Sequence, residues 1–272
     1  MQFSDIALAR RLERAEGNAS AQFAAARRRL FPDARSAWME CSGAFVIYDG
    51  ADSPVTQSFG LGLWEPLSPA VLDKVERFFL DRGAPVQLEV SPFAGAAALA
   101  LLCGRHYRPI EISSVLYRAV EPAPLQIPTG IRVRAISPQE AALWNDVSTR
   151  GWVHDHPEFR TFFEQNAAIV TARDQSFCFL AEIDGQPGAA GALCIHEGVA
   201  LFAGAATVPE LRRRGLQAAL LEERMRFAFD QGCDLAMMVA ETGSDSQRNA
   251  ERKAFRIAYT RTKWLLAPTA PA

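Results

Sequence analysis

The chain has 272 residues, 49% hydrophobic and 22% charged, which suffices for one large or two ordinary domains with a real core. A formal net charge of −2 gives no global attraction to nucleic acid or anionic membrane, and no stretch supplies the roughly 18 uninterrupted apolar residues of a membrane span. Five widely spaced cysteines (Cys41, Cys103, Cys178, Cys194, Cys233), mostly inside apolar stretches, fit reduced buried thiols better than a disulfide framework, so a cytoplasmic protein is expected.

Ser4-Asp5 can cap a helix running to about Glu16, Gly17-Asn18 is expected to break it, and Ala19 to Leu30 reads as a second helix stopped by Phe31-Pro32. Strand signals follow at Gly43 to Tyr48 and at Thr56 to Leu63. Ser68-Pro69 opens a helix to Asp81, with Ser as cap and Pro in the first turn. Val86 to Val90 alternates like a strand, Ala94 to Cys103 looks helical, and Ile112 to Val120 is another strand. Pro122, Pro124 and Pro128 then crowd a short segment, the natural linker, which predicts domains at 1–121 and 131–272 around 122–130. Beyond it, Ile131 to Ala135 reads as a strand, Ser137-Pro138 caps a helix through about Ser148, and Glu158 to Ala172 is helical. Phe177 to Ile183 and Ala189 to Ile195 flank the hairpin signal Asp184-Gly185-Gln186-Pro187. Val199 to Val208 is an apolar strand, Leu216 starts a helix, Asp234 to Ala240 and Ile257 to Leu266 are strands, and Ser246 to Lys253 is helical.

Part of this programme repeats. Arg77, Phe78, Asp81 and Gly83 match Arg226, Phe227, Asp230 and Gly232, each pair 149 residues apart. In both places a helix end feeds an apolar strand, which implies two related α/β halves.

The stretch from Val199 into the helix after Leu216 is the most informative. The strand stops at Pro209, three arginines (Arg212, Arg213, Arg214) lead to Gly215, and Ala218, Leu221, Met225 and Ala228 recur at helical spacing, with Glu222, Glu223, Arg224 and Arg226 expected on the solvated face. The first N–H groups of a helix lack intrahelical partners and sit at the positive end of its dipole, so a basic glycine turn there suits an anion such as phosphate. A solvated basic turn would carry the same residues. The stretch ATVPELRRRGLQAALL resembles the acyl-CoA pyrophosphate loop of the GNAT superfamily of N-acetyltransferases, Q/R-x-x-G-x-G/A after a strand ending in V-x-P. Arg212 and Gly215 match, and Gln217 stands where Gly or Ala is usual.

The resemblance implies a mixed α/β fold of two tandem GNAT-like halves, each a mostly antiparallel sheet flanked by helices, with the second half catalytic. It also implies acetyl-CoA as cosubstrate, no metal, and a small-molecule or peptide amine as acceptor. Neither nucleic acid nor membrane would be a partner; a homodimer is a possible assembly. It places Ala206, Thr207, Val208, Arg212, Arg213, Arg214, Gly215, Leu216, Gln217 and Ala218 against the cofactor, with Ser246 and Asn249 beside its cysteamine arm. At the 149-residue offset the first half carries Leu63, Glu65 and Pro66 in place of Arg212, Arg214 and Gly215, so one cofactor per chain is expected.

The family's usual tyrosine acid falls on Ala250, which leaves Tyr259 as the nearest alternative acid; a tyrosine on a final strand is more often core. Glu241, just past an apolar strand, is a candidate base, as are His196 and Glu197 through a water. His154-Asp155-His156 could offer two metal ligands, but spacing places no third, and a substrate-facing loop or a plain turn explains it as well.

Overall fold

The structure, a computed structural model, describes residues 3–122 and 127–266. The chain packs as two compact units, one of Met1–Arg118 with Met237–Ala272, the other of Ala119–Ala236. The expected division after the proline segment therefore does not coincide with the packing, because the last thirty-odd residues fold with the first unit. Pro124 of the expected linker lies outside the described residues.

In the first unit, helix α1 (Ile6–Leu30) is continuous, where two helices were expected. Gly17 does not break it: a Cβ there would lie 2.6 Å from the Phe45 ring, so the glycine lets the helix lie flat on the sheet. Strands β1 (Ala37–Cys41), β2 (Ala44–Tyr48), β3 (Gln57–Phe59), β4 (Val86–Val90), β5 (Arg108–Ala119), the greater part of β10 (Leu235–Glu241) and β11 (Arg256–Leu266) run in the order β1-β2-β3-β4-β11-β5-β10. Strand β1 has no expected counterpart, and β3 is shorter than expected because Gly60 (φ 82°) and Gly62 (φ 77°) turn the chain. Strand β2 is buried on both faces, with Phe45 and Ile47 against Ala21 and Ala24 of α1, and Ala44 and Val46 in the core formed by helix α2 (Pro69–Leu80). The chain's last strand, β11, is the outlier in sequence order: it lies antiparallel between β4 and β5.

The second unit orders its strands β9-β8-β7-β6, all antiparallel neighbours: β6 (Ile131–Ala135), β7 (Ser176–Ile183), β8 (Gln186–His196) and β9 (Val199–Thr207). Helices α4 (Ala141–Val153), α5 (Arg160–Ala172) and α6 (Leu216–Asp230) accompany them. Helix α6 departs from the expected amphipathic split, since Glu223 and Arg224 are buried. The Arg224 guanidinium donates to the carbonyls of Leu220 (3.2 Å) and Ala192 (2.9 Å), lies over the Phe202 ring, and burial pulls its pKa down to about 10.

The repeat is visible in backbone geometry. Helix α2 ends with Gly83 and Ala84 N–H groups donating to Leu80 and Phe79 carbonyls; α6 ends with Gly232 and Cys233 donating to Phe229 and Ala228, each group 149 residues on. Gly83 and Gly232 share a left-handed φ (70° and 76°), the usual helix stop. After helices α3 (Gly95–Gly104) and α7 (Asp245–Arg252) the spacing slips to 148: His106 (φ 63°) matches Ala254 (φ 62°), and Tyr107 N–H to Leu102 matches Phe255 N–H to Ala250.

Cys178, Cys194 and Cys233 are buried, burial pushing the Cys178 thiol up to about 12, whereas Cys41 is half-buried and Cys103 exposed. Among the described residues no helix is long and apolar enough to cross a membrane.

Candidate cofactor site

Strand β9 is irregular where the site begins. Ala192 pairs with Ala203 and Ala190 with Ala206, so two residues of β9, Gly204 and Ala205, oppose the single Gly191 of β8. This is a β-bulge, with Gly204 at φ 59°, and it bends the strand ahead of its end. Gly191 suits the position because a Cβ there would come within 3.2 Å of the Arg224 guanidinium. Ala206, Thr207 and Val208 follow; the Val208 N–H donates to the Gly188 carbonyl at 2.9 Å.

The chain then makes a short 3-10 turn, Pro209–Leu211, and reaches the arginines. Arg213 adopts a left-handed conformation (φ 60°) and is exposed, as is Arg214, whose guanidinium lies 3.7 Å from Asp184. Gly215, at φ 88° and ψ −2°, is the N-cap of α6 and supplies no side chain to its first turn. The N–H groups of Leu216, Gln217 and Ala218 therefore have neither an intrahelical acceptor nor a side-chain cap. With two left-handed residues turning the preceding backbone, this is an open, donor-lined cradle at the positive end of a four-turn helix, a setting that suits an anion. Gln217 does not obstruct it, because its side-chain amide folds back and donates to the Thr207 hydroxyl at 2.7 Å.

The equivalent corner of the first unit is closed. Helix α2 starts with Pro69, which has no N–H, and the Ser68 hydroxyl accepts from the Val71 N–H. Leu63 is buried, and Glu65 and Pro66 are exposed.

Arg212 is engaged within the unit: it donates to the carbonyls of Thr207 and Gly151 and to both oxygens of Asp155. In the first unit, Ser246 and Asn249 are exposed on α7, whose N-cap is Ser244, and Asn249 accepts from Arg252. Glu241 is exposed at the end of β10. Ala250, at the usual tyrosine position, is buried and has no proton to give.

Tyr259 is an interior group. Its hydroxyl donates to Glu13 at 2.9 Å and its ring meets Phe93 edge-on; burial, and after it the Glu13 charge, hold its pKa well above the usual tyrosine range. Around it Arg261 pairs with Glu13 (3.2 Å), Glu16 (2.6 Å) and Glu89 (3.0 Å), and Lys263 bridges Glu89 and Glu111. Sequence reasoning missed this cluster because Glu13 and Glu16 lie some 240 residues from their partners. Tyr259→Phe is accordingly expected to cost stability, about 1–2 kcal/mol for leaving a buried Glu13 oxygen short of a donor. Urea unfolding checks this; normal stability together with lost turnover would restore the catalytic role.

His154 and His156 flank an Asp155 already held by Arg212, which keeps its carboxyl below the usual range. Among the described residues no group of three His, Cys, Asp or Glu could hold a metal.

Residues 131–242 match the family described as "Acetyltransferase (GNAT) domain". This segment is a GNAT domain. No curated protein matches the chain in sequence. In structure it is similar to a GCN5-related N-acetyltransferase from Kribbella flavida, at 18% identity, 92% of this chain and 96% of that one, with a TM-score of 0.64. It is similar to a GCN5-related N-acetyltransferase from Sphaerobacter thermophilus, at 16% identity, covering 95% and 93%, TM-score 0.57. A tandem GNAT protein from the clavulanic acid biosynthesis pathway aligns over 99% and 98% of the two chains, at 13% identity and TM-score 0.59. These likenesses establish the GNAT fold over nearly the whole chain.

Proposed function

We propose that the protein is an N-acetyltransferase that moves an acetyl group from acetyl-CoA to a primary amine of a small molecule or peptide. The observation that carries this reading is the open, glycine-capped start of α6 directly after the bulged strand β9. The pyrophosphate would lie on the N–H groups of Gly215 to Ala218, with Arg213 and Arg214 adding charge. The pantetheine arm would follow Ala206 to Val208. The amine nitrogen attacks the thioester carbonyl, the C–S bond breaks, and the CoA thiolate leaves and takes a proton; positioning and oxyanion stabilisation supply most of the rate. The tandem halves would be a duplicated GNAT unit of which only the second kept its cofactor site.

Titration of the full chain with acetyl-CoA should give a stoichiometry near one, because the start of α2 offers a capped, proline-bearing turn beside an acid. A stoichiometry of two would overturn the assignment of a single cradle. Turnover of acetyl-CoA with a panel of primary amines tests the chemistry. A second reading, an acyl-CoA sensor that does not turn over, is favoured by Ala250 at the tyrosine position and by the interior setting of Tyr259. Tight binding without release of CoA from any amine would select it.

A further inference from the structure

An arginine side chain has five N–H donors, and in Arg212 four hydrogen bonds are already made. The Nε donates to the Thr207 carbonyl at 3.2 Å, and one Nη to the Gly151 carbonyl at 3.0 Å and to Asp155 Oδ2 at 2.8 Å. The other Nη donates to Asp155 Oδ1 at 3.0 Å. The pairing with Asp155 is two-pronged, the geometry in which a planar guanidinium and a carboxylate fix each other's orientation. Two further contacts bind the same elements. A Cβ on Gly151 would sit 2.6 Å from the Ala206 Cβ, so the glycine lets the end of α4 lie directly on the end of β9. Arg150, its neighbour, pairs with Glu210 in the turn that follows β9.

What these contacts hold is the connection from α4 to α5. It carries an aromatic cluster: Trp152 and Phe163 are stacked at 5.8 Å, Phe159 meets Phe163 edge-on, and His156 lies against both phenylalanines. We propose that Arg212 and Asp155 form a latch that fixes this aromatic connection to the cofactor loop, so that Asp155 is a positioning residue and Arg212 is not a phosphate ligand. The proposal rests on the acetyl-CoA reading for its functional meaning, since it assigns the phosphate-facing charge to Arg213 and Arg214. It implies that acetyl-CoA, by ordering the loop, also steadies the connection; the coupling is reciprocal, so an amine that orders the connection tightens acetyl-CoA binding.

The test measures backbone hydrogen exchange across 152–163 in the full chain, with and without acetyl-CoA, together with acetyl-CoA affinity by calorimetry. In Asp155→Ala and Arg212→Gln we expect exchange there to quicken about tenfold or more, acetyl-CoA to lose its protective effect on the segment, and affinity to stay within about threefold. Asp155→Glu should restore most of the protection. Arg214→Gln should do the reverse, weakening acetyl-CoA about tenfold and leaving the segment unchanged. If Arg212→Gln weakens acetyl-CoA tenfold while exchange across 152–163 is unaltered, Arg212 is a phosphate ligand and the latch is wrong. Unaltered exchange in both latch variants would also overturn it. If the unmodified protein binds no acetyl-CoA, the functional reading fails on its own, while the exchange rates without ligand still decide whether the latch exists.

Discussion

Gly215→Pro is expected to abolish acetyl-CoA binding in calorimetry. Proline fixes φ near −65° and removes the N–H, whereas Gly215 sits at φ 88°. The substitution therefore removes a donor and also forces the turn between Arg214 and Leu216 onto a different path, displacing the N–H groups that follow. Each lost charge-assisted bond is worth on the order of 1.5–3 kcal/mol, so losing about three moves a micromolar site beyond millimolar. Gly215→Ala gives the control. Its Cβ would meet only Ile131 at 3.5 Å and Pro128 at 3.9 Å, ordinary contacts, so its cost is the left-handed backbone, about 1–2 kcal/mol, with the N–H retained. Alanine should thus lower the melting temperature while binding survives. Wild-type affinity in a folded proline variant would sink the cofactor assignment.

The second large effect lies in the first unit. Arg261→Met should destabilise it by about 3–5 kcal/mol at neutral pH, because Glu13, Glu16 and Glu89 lose the cation they share. Burial, offset only in part by Arg261, holds the folded pKa of Glu13 and of Glu89 above its unfolded value. For a group raised in this way, the associated stability is complete below the unfolded pKa and is lost as pH rises through the folded one. Removing Arg261 raises both folded values further. The gap in stability between variant and wild type should therefore be wide at pH 7.5 and narrow toward pH 5, where the carboxyls take up protons. Urea unfolding at both pH values decides it, and a pH-independent gap would show that the cluster is not electrostatically coupled.

Much of this was legible from local pattern. The strands and helices from β4 onward lie within a few residues of their expected bounds, and the Ser68 cap, the Asp184-Gly185 hairpin and the glycine turn before α6 are where turn chemistry puts them. Gly17 was misleading because a glycine marks close packing as readily as a break, and only the Phe45 ring distinguishes the two. Arg224 looked solvated because helical period does not reveal that a buried guanidinium finds carbonyls on a neighbouring strand. The arginines at 212 to 214 read as one basic patch, although the fold sends the first to Asp155 and leaves the other two exposed. The neighbours of β11 could not be read at all, since alternation identifies a strand without naming what it pairs with.

That last strand sets a timetable for biosynthesis. Strands β4 and β5 are made long before β11, whose final residue, Leu266, is 147 positions beyond Ala119 at the end of β5. At roughly 5–20 residues per second, the gap they flank stays vacant for about 7 to 30 s on the ribosome. During that interval two unpaired sheet edges with apolar side chains are available to any other strand, the situation that invites mispairing and recruits chaperones. The first unit is thus begun before the second and finished after it, and a nascent chain arrested between Ala119 and Arg256 would present β4 and β5 without their common partner.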